Sequence, residues 1–415
     1  VNEIRNVRQL NKDSIFDIIR HAPEGVSRAE IAETLNVSRA TVSGIVESLI
    51  ADQLVLELGA GVSRGGRRPI VLQVNPDVGR VVGIDIGATH VLAVLADLRG
   101  GVLAEIESSL DIAHGPNVCL PIVCEAVDGL LQQGQTPKDS VLAFGIGVPG
   151  PVIAAHGIVS SPPIMPGWDG FPIRKNFETQ WKIPTFVDND ADLGALGEAT
   201  FGAGRGESNL AYIKIGTGIG CGLLLEGRIY RGVVGTAGEI GHVTVSQDGP
   251  PCKCGNYGCL EVMAGGRAIA QRAQMAVKAG QRTSLAALNH GHELTAKDVA
   301  AAAKAGDEVS QQLLNDAGRH IGSALASLIN LLNPGLIILG GRVTEAGAFI
   351  LDPITDVVQK RSLRASYQAS RIALSELGQH TTAMGAVALA LDQAYARVRR
   401  GNVVRRSQPL QSPAL

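Results

Sequence analysis

The sequence predicts an α/β protein in two parts: a small N-terminal winged helix-turn-helix, then a two-lobed phosphate-binding fold. Three observations carry this. Two short capped helices precede a basic, Gly-rich hairpin within the first 75 residues; a strand, Gly-rich turn, strand unit recurs about 130 residues after its first appearance; and PCKCGNYGCLE at 251–261 clusters three of the six cysteines. At 415 residues the chain has room for two or three packed units. Hydrophobic content of 45%, 18% charged residues and a net charge of -2 provide no global attraction to nucleic acid or membrane, so any such contact must come from a local patch.

The N-terminal segment VNEIRNVRQLNKDSIF is charged throughout and lacks the apolar run of an export signal, which predicts a cytoplasmic protein in a reducing compartment. The most apolar window, Ile321 to Gly341, is interrupted by Asn330, Asn333 and Pro334; it reads as a buried helix running into a buried strand, not a membrane span.

Residues 1–75 read as the DNA-binding domain. In SRAEIAETLNVSRATVSGIVESLI, Ser27 and Glu30 form a capping box and Ser38 caps a second helix. Ile31, Leu35, Val42, Ile45, Val46 and Leu49 fall at helical spacing, Val37 plugs the turn, and KDSIFDIIRHA supplies a third helix. LVLELGAGVSRGGRRPIVLQV follows as a β-hairpin wing with Arg64, Arg67 and Arg68 in its loop. On double-stranded operator DNA, Arg39, Thr41 and Ser43 would reach the major groove, and the wing arginines would meet phosphates or the minor groove.

Residues 80–398 read as the second part, its lobes spanning about 80–190 plus the C-terminal helix, and 191–378. RVVGIDIGATHVLAVLADLRGGVLAE is strand, turn, strand, turn, strand; Asp85, Gly87 and Thr89 suit a phosphate and a hydrated metal ion. LAYIKIGTGIGCGLLLEG repeats the unit with Thr217 and Gly218 in its turn, and LIILGGRV adds a turn at Gly340 suited to flank an adenine ring. Between them, PTFVDNDADLGALGE places Asn189 and Asp190 at the carboxyl end of a strand. Asp190 there suits a general base toward a sugar hydroxyl, while either residue also suits a helix N-cap.

His242, ten residues before Cys252, completes with Cys252, Cys254 and Cys259 a one-His, three-Cys set suited to structural zinc. Cys119, Cys124 and Cys221 lie singly in apolar surroundings and read as core thiols. Glu239 and Glu261 bracket the knot, which would fix both carboxylates beside Asn189 and Asp190 as a wall for sugar hydroxyls. The basic, Pro-containing segment 399–415 reads as a disordered tail.

Taken together, DIGAT, DND, GTGIGCG, GEIGH, CKCGNYGCLE and LGGRV resemble the ROK family of repressors, open reading frames and kinases. The resemblance implies an actin-like, ribonuclease-H-type sugar-kinase fold and a homo-dimer or tetramer. It implies sugar contacts at Asn189, Asp190, Glu239, His242 and Glu261, Asp190 as base in family kinases, and zinc at His242, Cys252, Cys254 and Cys259. Members with an N-terminal winged helix are mostly sugar-responsive regulators. Four positions depart from the kinase pattern: Ala88 for glycine, His90 for lysine, Arg342 for glycine, and Ile164 for a sugar-contacting asparagine. The expectation is therefore a regulator, a repressor answering to a sugar or sugar phosphate and holding structural zinc. The alternative is an ATP- and Mg2+-dependent hexose or N-acetylhexosamine kinase that also binds DNA.

Overall fold

The computed structural model describes residues 12–22, 24–60, 70–160, 162, 165–288 and 293–399. Helix α1 (12–20) leads into β1 (Val26–Ser27), α2 (Arg28–Leu35) and α3 (Arg39–Ala51), followed by β2 (Val55–Ala60) and β3 (Ile70–Val74). The three strands form one antiparallel sheet in the order β1-β3-β2. The capping chemistry expected of this segment is present. Ser27 Oγ accepts from the Glu30 amide while Glu30 Oε2 accepts from the Ser27 amide at 2.8 Å, and Ser38 Oγ accepts from the Thr41 amide at 3.1 Å. Asn36, in the left-handed region at φ 51°, ends α2 and turns the chain toward α3. Ile15, Phe16, Ile19, Ile31, Val42, Ile45, Val46 and Leu49 close the core between the three helices.

Two larger sheets follow, and they share one strand plan. The first is built from β4 (Arg80–Ile86), β5 (His90–Asp97) and β6 (Val102–Ser109), then α4 (Pro116–Gln133), β7 (Val141–Val148), the short ribbon β8 (Val152–Ile153) and β9 (Ile158–Val159), α5 (Ile173–Trp181), and β10 (Thr185–Asn189) entering α6 (Asp190–Phe201). Its order is β10-β7-β4-β5-β6, an antiparallel meander extended by two parallel strands.

The second comprises β11 (Leu210–Ile215), β12 (Ile219–Leu225) and β13 (Arg228–Ile229), the helices α7 (Leu260–Ala264), α8 (Gly266–Lys278), α9 (Leu285–Leu288), α10 (Ala296–Lys304) and α11 (Glu308–Leu332), then β14 (Leu336–Gly340), α12 (Ala348–Arg361), α13 (Arg364–Ala369) and β15 (Arg371–Leu374), after which α14 (Thr381–Arg399) returns to the first sheet. Its order, β13-β12-β11-β14-β15, repeats the plan: three antiparallel strands, then two parallel ones. The apolar window at 321–341 is the end of α11 and strand β14, and no described helix is long and apolar enough to cross a membrane.

Helix α14 binds these parts together. It lies on β4 and β7 at backbone contact, because Gly83 and Gly145 have no side chain there: a Cβ would stand 2.3 Å from the Ala383 carbonyl oxygen and 2.0 Å from that of Ala386. On its other side a Cβ on Gly385 would meet the Leu193 carbonyl oxygen of α6 at 1.7 Å. Its C-terminal half holds α1. Phe16 packs edge-on to Tyr395 with ring centroids 5.5 Å apart, Arg20 lies 5.2 Å over the same ring, and the Arg20 guanidinium pairs with Asp392. The Tyr395 hydroxyl donates to the carbonyl of Leu98. The helix bundle at the N-terminus is therefore packed onto the same helix that spans the first sheet.

Candidate functional site

A cleft of about 1400 Å3 opens between the two large sheets, and the turns foreseen as functional line it from both sides. From the first sheet come Asp85, Gly87, Ala88, Thr89 and His90; from the second, Thr217, Gly218, Gly340 and Arg342; from the β10–α6 junction, Asn189 and Asp190; from the loop before the cysteines, Glu239 and His242; and from α7, Glu261.

At the junction the cap foreseen for one member of the Asn–Asp pair falls to Asn189, which leaves the Asp190 side chain for the cleft. Asn189 is the N-cap of α6: its Oδ1 accepts from the amides of Ala191 at 2.8 Å and Asp192 at 3.2 Å, and its Nδ2 donates to the Gly150 carbonyl at 2.9 Å. One amide hydrogen is left for a ligand. Asp190, freed from capping, turns into the cleft, where its Oδ2 accepts from Lys214 Nζ at 2.9 Å. Lys214, on β11, also donates to Thr382 Oγ1 at 3.3 Å, and Thr382 Oγ1 donates to the Asp190 carbonyl at 3.1 Å. Thr381 and Thr382 are the first residues of α14 and line the same cleft.

The loop around the cysteines is tied in register by the amide of Val245 donating to the Gly258 carbonyl at 2.9 Å and that of Leu260 donating to Val243 at 2.9 Å. Gly258, at φ +61°, is pressed onto this loop so closely that a Cβ would stand 1.6 Å from the Ser246 carbonyl oxygen. The result brings His242, Cys252, Cys254 and Cys259 together, one ligand atom of each within 4.8 Å of all the others. Cys254 and Cys259 sulfurs are 3.7 Å apart, and His242 Nδ1 is 3.7 Å from the Cys252 sulfur. A tetrahedral ion with metal–sulfur bonds of about 2.3 Å requires sulfur–sulfur edges of about 3.8 Å, so the donor set fits a metal ion. Burial, reinforced by the two neighbouring thiols, pushes Cys259 up to about 12, a cost that a bound cation removes. Cys119, Cys124 and Cys221 are buried singly, as the sequence suggests.

The two glutamates are placed unequally. Glu239 Oε2 faces His242 Nε2 at 3.9 Å on the side away from the sulfurs, and burial, with Asp190 and Glu261 close by, raises its carboxyl above the ordinary range against the pull of His242. Glu261 has a task beyond lining the wall: its Oε2 accepts from the Ile219 amide at 3.1 Å and fills the space over Gly218, where a Cβ would come within 2.0 Å. The first turn of α8 completes the clasp, with the Gly266 amide donating to Gly216 and that of Arg267 to Thr217. The metal knot, the glycine turn and the acidic wall are thus one connected unit.

Three site residues escape sequence reasoning. Lys214 reads there only as a polar position in an apolar strand. Arg231 pairs with the buried Asp188 directly behind the wall. Asp192 is 4% exposed. Its burial, with Asp188 adding to the effect and Arg231 opposing it, raises its carboxyl to about 8. At the N-terminal bundle Arg39 and Thr41 are exposed and Ser43 is half-buried, while the Thr41 hydroxyl lies 2.8 Å from Ser38 Oγ. Exposed Ala40 and Gly44 widen the same face, with nothing within 4 Å of Gly44. Arg64, Arg67, Arg68, Ile164 and 400–415 lie outside the described residues.

Comparison with known proteins adds the family context. The ROK family model matches residues 81–393. The xylose repressor of Caldicellulosiruptor bescii is 33% identical over 386 residues, covering 93% of this chain and 96% of the relative. A crystal structure of a ROK family transcriptional regulator, a homologue of the E. coli MLC protein, superposes with a TM-score of 0.80 at 28% identity, over 96% of this chain and 99% of that one. A ROK family glucokinase from Streptomyces griseus, solved with glucose and AMPPNP, superposes with a TM-score of 0.69 at 31% identity, covering 76% of this chain and 100% of the other. The regulators span nearly the whole chain, whereas the kinase covers about three quarters of it.

Two outcomes follow for the site. Elemental analysis of the purified chain will find one metal ion per chain, lost as the pH is lowered or when Cys259→Ser is introduced, with a lower melting temperature in both cases; a metal-free chain that melts at the same temperature with and without chelator would contradict this. For Asp192, the folded-state value of about 8 lies above the ordinary 3.8, so its contribution to stability is present at low pH and lost as the pH rises toward and through 8. Urea denaturation of Asp192→Asn will therefore show a gain over wild type that is small at pH 5 and largest above pH 8.

Proposed function

The chain belongs to the ROK family, and from that premise we propose a sugar-responsive repressor of carbohydrate metabolism, with residues 12–74 as a winged helix-turn-helix DNA reader and the rest as its sensor. The observation that carries this reading is the course of α14. Its first turn lines the cleft beside Asp190, and its C-terminal half grips α1 of the N-terminal bundle through Tyr395 and Asp392. A change at the first turn is delivered to the DNA reader by a helix of 19 residues held rigidly on the first sheet.

In this reading the sugar lies against Asp190, Glu239, Glu261, His242 and the remaining amide hydrogen of Asn189, groups that accept from or donate to vicinal hydroxyls. Zinc at His242, Cys252, Cys254 and Cys259 is structural: all four positions are protein donors, with none left for a reacting water. His242 Nδ1 faces the sulfurs while Nε2 faces Glu239 and the cleft, so one ring serves both the knot and the wall. Closure of the cleft on the sugar draws the second sheet and the first turn of α14 together, and α14 then re-aims α1. In a homo-oligomer this alters the spacing of two recognition helices on an operator of two half-sites. The exposed face of α3, with Arg39, Ala40, Thr41 and Gly44, meets the major groove, and Arg64, Arg67 and Arg68 follow the phosphates. Phosphoryl transfer with Asp190 as base, the activity named for the glucokinase, is disfavoured because Asp190 is held by Lys214.

The test is operator affinity against a panel of xylose, glucose, N-acetylglucosamine and their phosphates. One member of the panel will change wild-type affinity by about 5- to 150-fold. Asp392→Ala will keep sugar binding and operator binding but lose most of the response. A response unchanged in Asp392→Ala would remove α14 from the route, and unchanged affinity with every sugar would leave a ligand-independent DNA binder.

A further inference from the structure

A metal–nucleotide complex, as a kinase fold implies, needs in this cleft carboxylates free to hold the metal and a first glycine turn left uncovered for a phosphate. The residues present do not provide them. Lys214 Nζ is hydrogen-bonded to Asp190 at 2.9 Å, and the pair is mostly enclosed, with side-chain exposures of 22% and 15%. The Asp85 carboxylate is buried: its Oδ2 lies 3.6 Å from His90 Nε2, and its Oδ1 has no hydrogen-bond partner among the described residues. Burial would raise the Asp85 carboxyl, yet it is held below the ordinary range by the charge of Lys214 first and by His90 second. The His90 ring also covers Gly87, within 2.5 Å of where a Cβ would stand, on the turn where a phosphate would rest.

We propose that Lys214 is the resident cation of this cleft and its specificity-determining residue. Its ammonium is bonded to Asp190 and supplies positive charge where the carboxylates of Asp190 and Asp85 would otherwise draw a divalent metal; the cleft takes a sugar alone and excludes magnesium-bound nucleotides. The inference rests on the sugar reading only in placing the sugar beside Asp190. A divalent ion cannot join the site without confronting an ammonium already there, and a nucleoside triphosphate without its metal would bring its full negative charge to carboxylates whose one ammonium is already engaged. Arg342 makes a second bridge across the opening, to Glu107 at 3.3 Å, but both partners are about half exposed, and exposed pairs contribute little. The enclosed, hydrogen-bonded lysine decides the matter, and the surface arginine does not.

Removing Lys214 leaves Asp85 buried, with one oxygen unpartnered among the described residues and only the His90 ring beside the other, a site where a metal ion can supply the missing charge. Isothermal titration of the full chain with magnesium–ADP tests this. Wild type will bind weakly or not at all at millimolar nucleotide. Lys214→Thr and the shape-preserving Lys214→Met, each checked for native circular dichroism, will gain at least about tenfold in affinity. EDTA, or Asp85→Asn in the same background, will abolish that gain, and Arg342→Ala alone will not produce it. Submillimolar binding of magnesium–ADP by wild type, or folded variants that bind no tighter than wild type, would overturn the proposal. Sugar titrated in parallel separates the two readings: nucleotide gained with no sugar bound by any form would sink the sugar site and leave the role of Lys214 standing.

Discussion

Too much negative charge converges on one small volume, and the rest of the structure is arranged around that constraint. Asp190, Asp192, Glu239 and Glu261 come from three separate segments to the cleft, with Asp188 directly behind them and Asp85 lining the same cleft. Left to themselves such groups would repel and open the site. They are answered differently: Asp188 by Arg231, Asp190 by Lys214, whose charge also acts on Asp85, Glu261 by a backbone amide, and Asp192 and Glu239 by a raised affinity for the proton. The acidic wall that suits sugar hydroxyls persists because these compensations are built into strands and helices rather than left to solvent.

The knot of His242 and the three cysteines belongs to the same design. It fixes the loop carrying Glu239 against the helix carrying Glu261, and through Glu261 and the first turn of α8 it also fixes the glycine turn of β11 and β12. A turn without side chains has little of its own to hold it in place. Clasped from one side by a carboxylate and from the other by amides, it becomes a rigid floor. That floor borders the strand that carries Lys214.

Much of this was legible in the sequence, and the boundary of legibility follows sequence distance. Ser27 with Glu30, Ser38, the two strand-turn-strand units and the His–Cys spacing are local patterns, each with its partner a few residues away, and each stands where the spacing puts it. Asn189 and Asp190 were recognisable as a cap and a cleft carboxylate because a strand end followed by a small-residue helix determines both. Lys214 was not: it differs from its neighbours on β11 only in what lies across the cleft, and its partners Asp190 and Thr382 are 24 and 168 residues away. The grip of Asp392 and Tyr395 on α1 joins nearly opposite ends of the chain, and nothing in an Ala-rich helix announces it. The glycines beneath α14 look like strand and helix defects until the helix is seen resting on them.

Coupling between cleft and DNA reader is the claim on which the account turns, since a sugar site and a DNA-binding bundle in one chain need not communicate. Hydrogen exchange of the full-length protein, followed residue by residue with and without the effector sugar, tests it most directly. The account predicts that protection changes together in the first turn of α14, in the segment around Asp392 and Tyr395, and in α1, and that Asp392→Ala leaves the first of these changes while removing the last. Protection confined to the cleft, with α1 unaltered by a sugar that does release the operator, would contradict it.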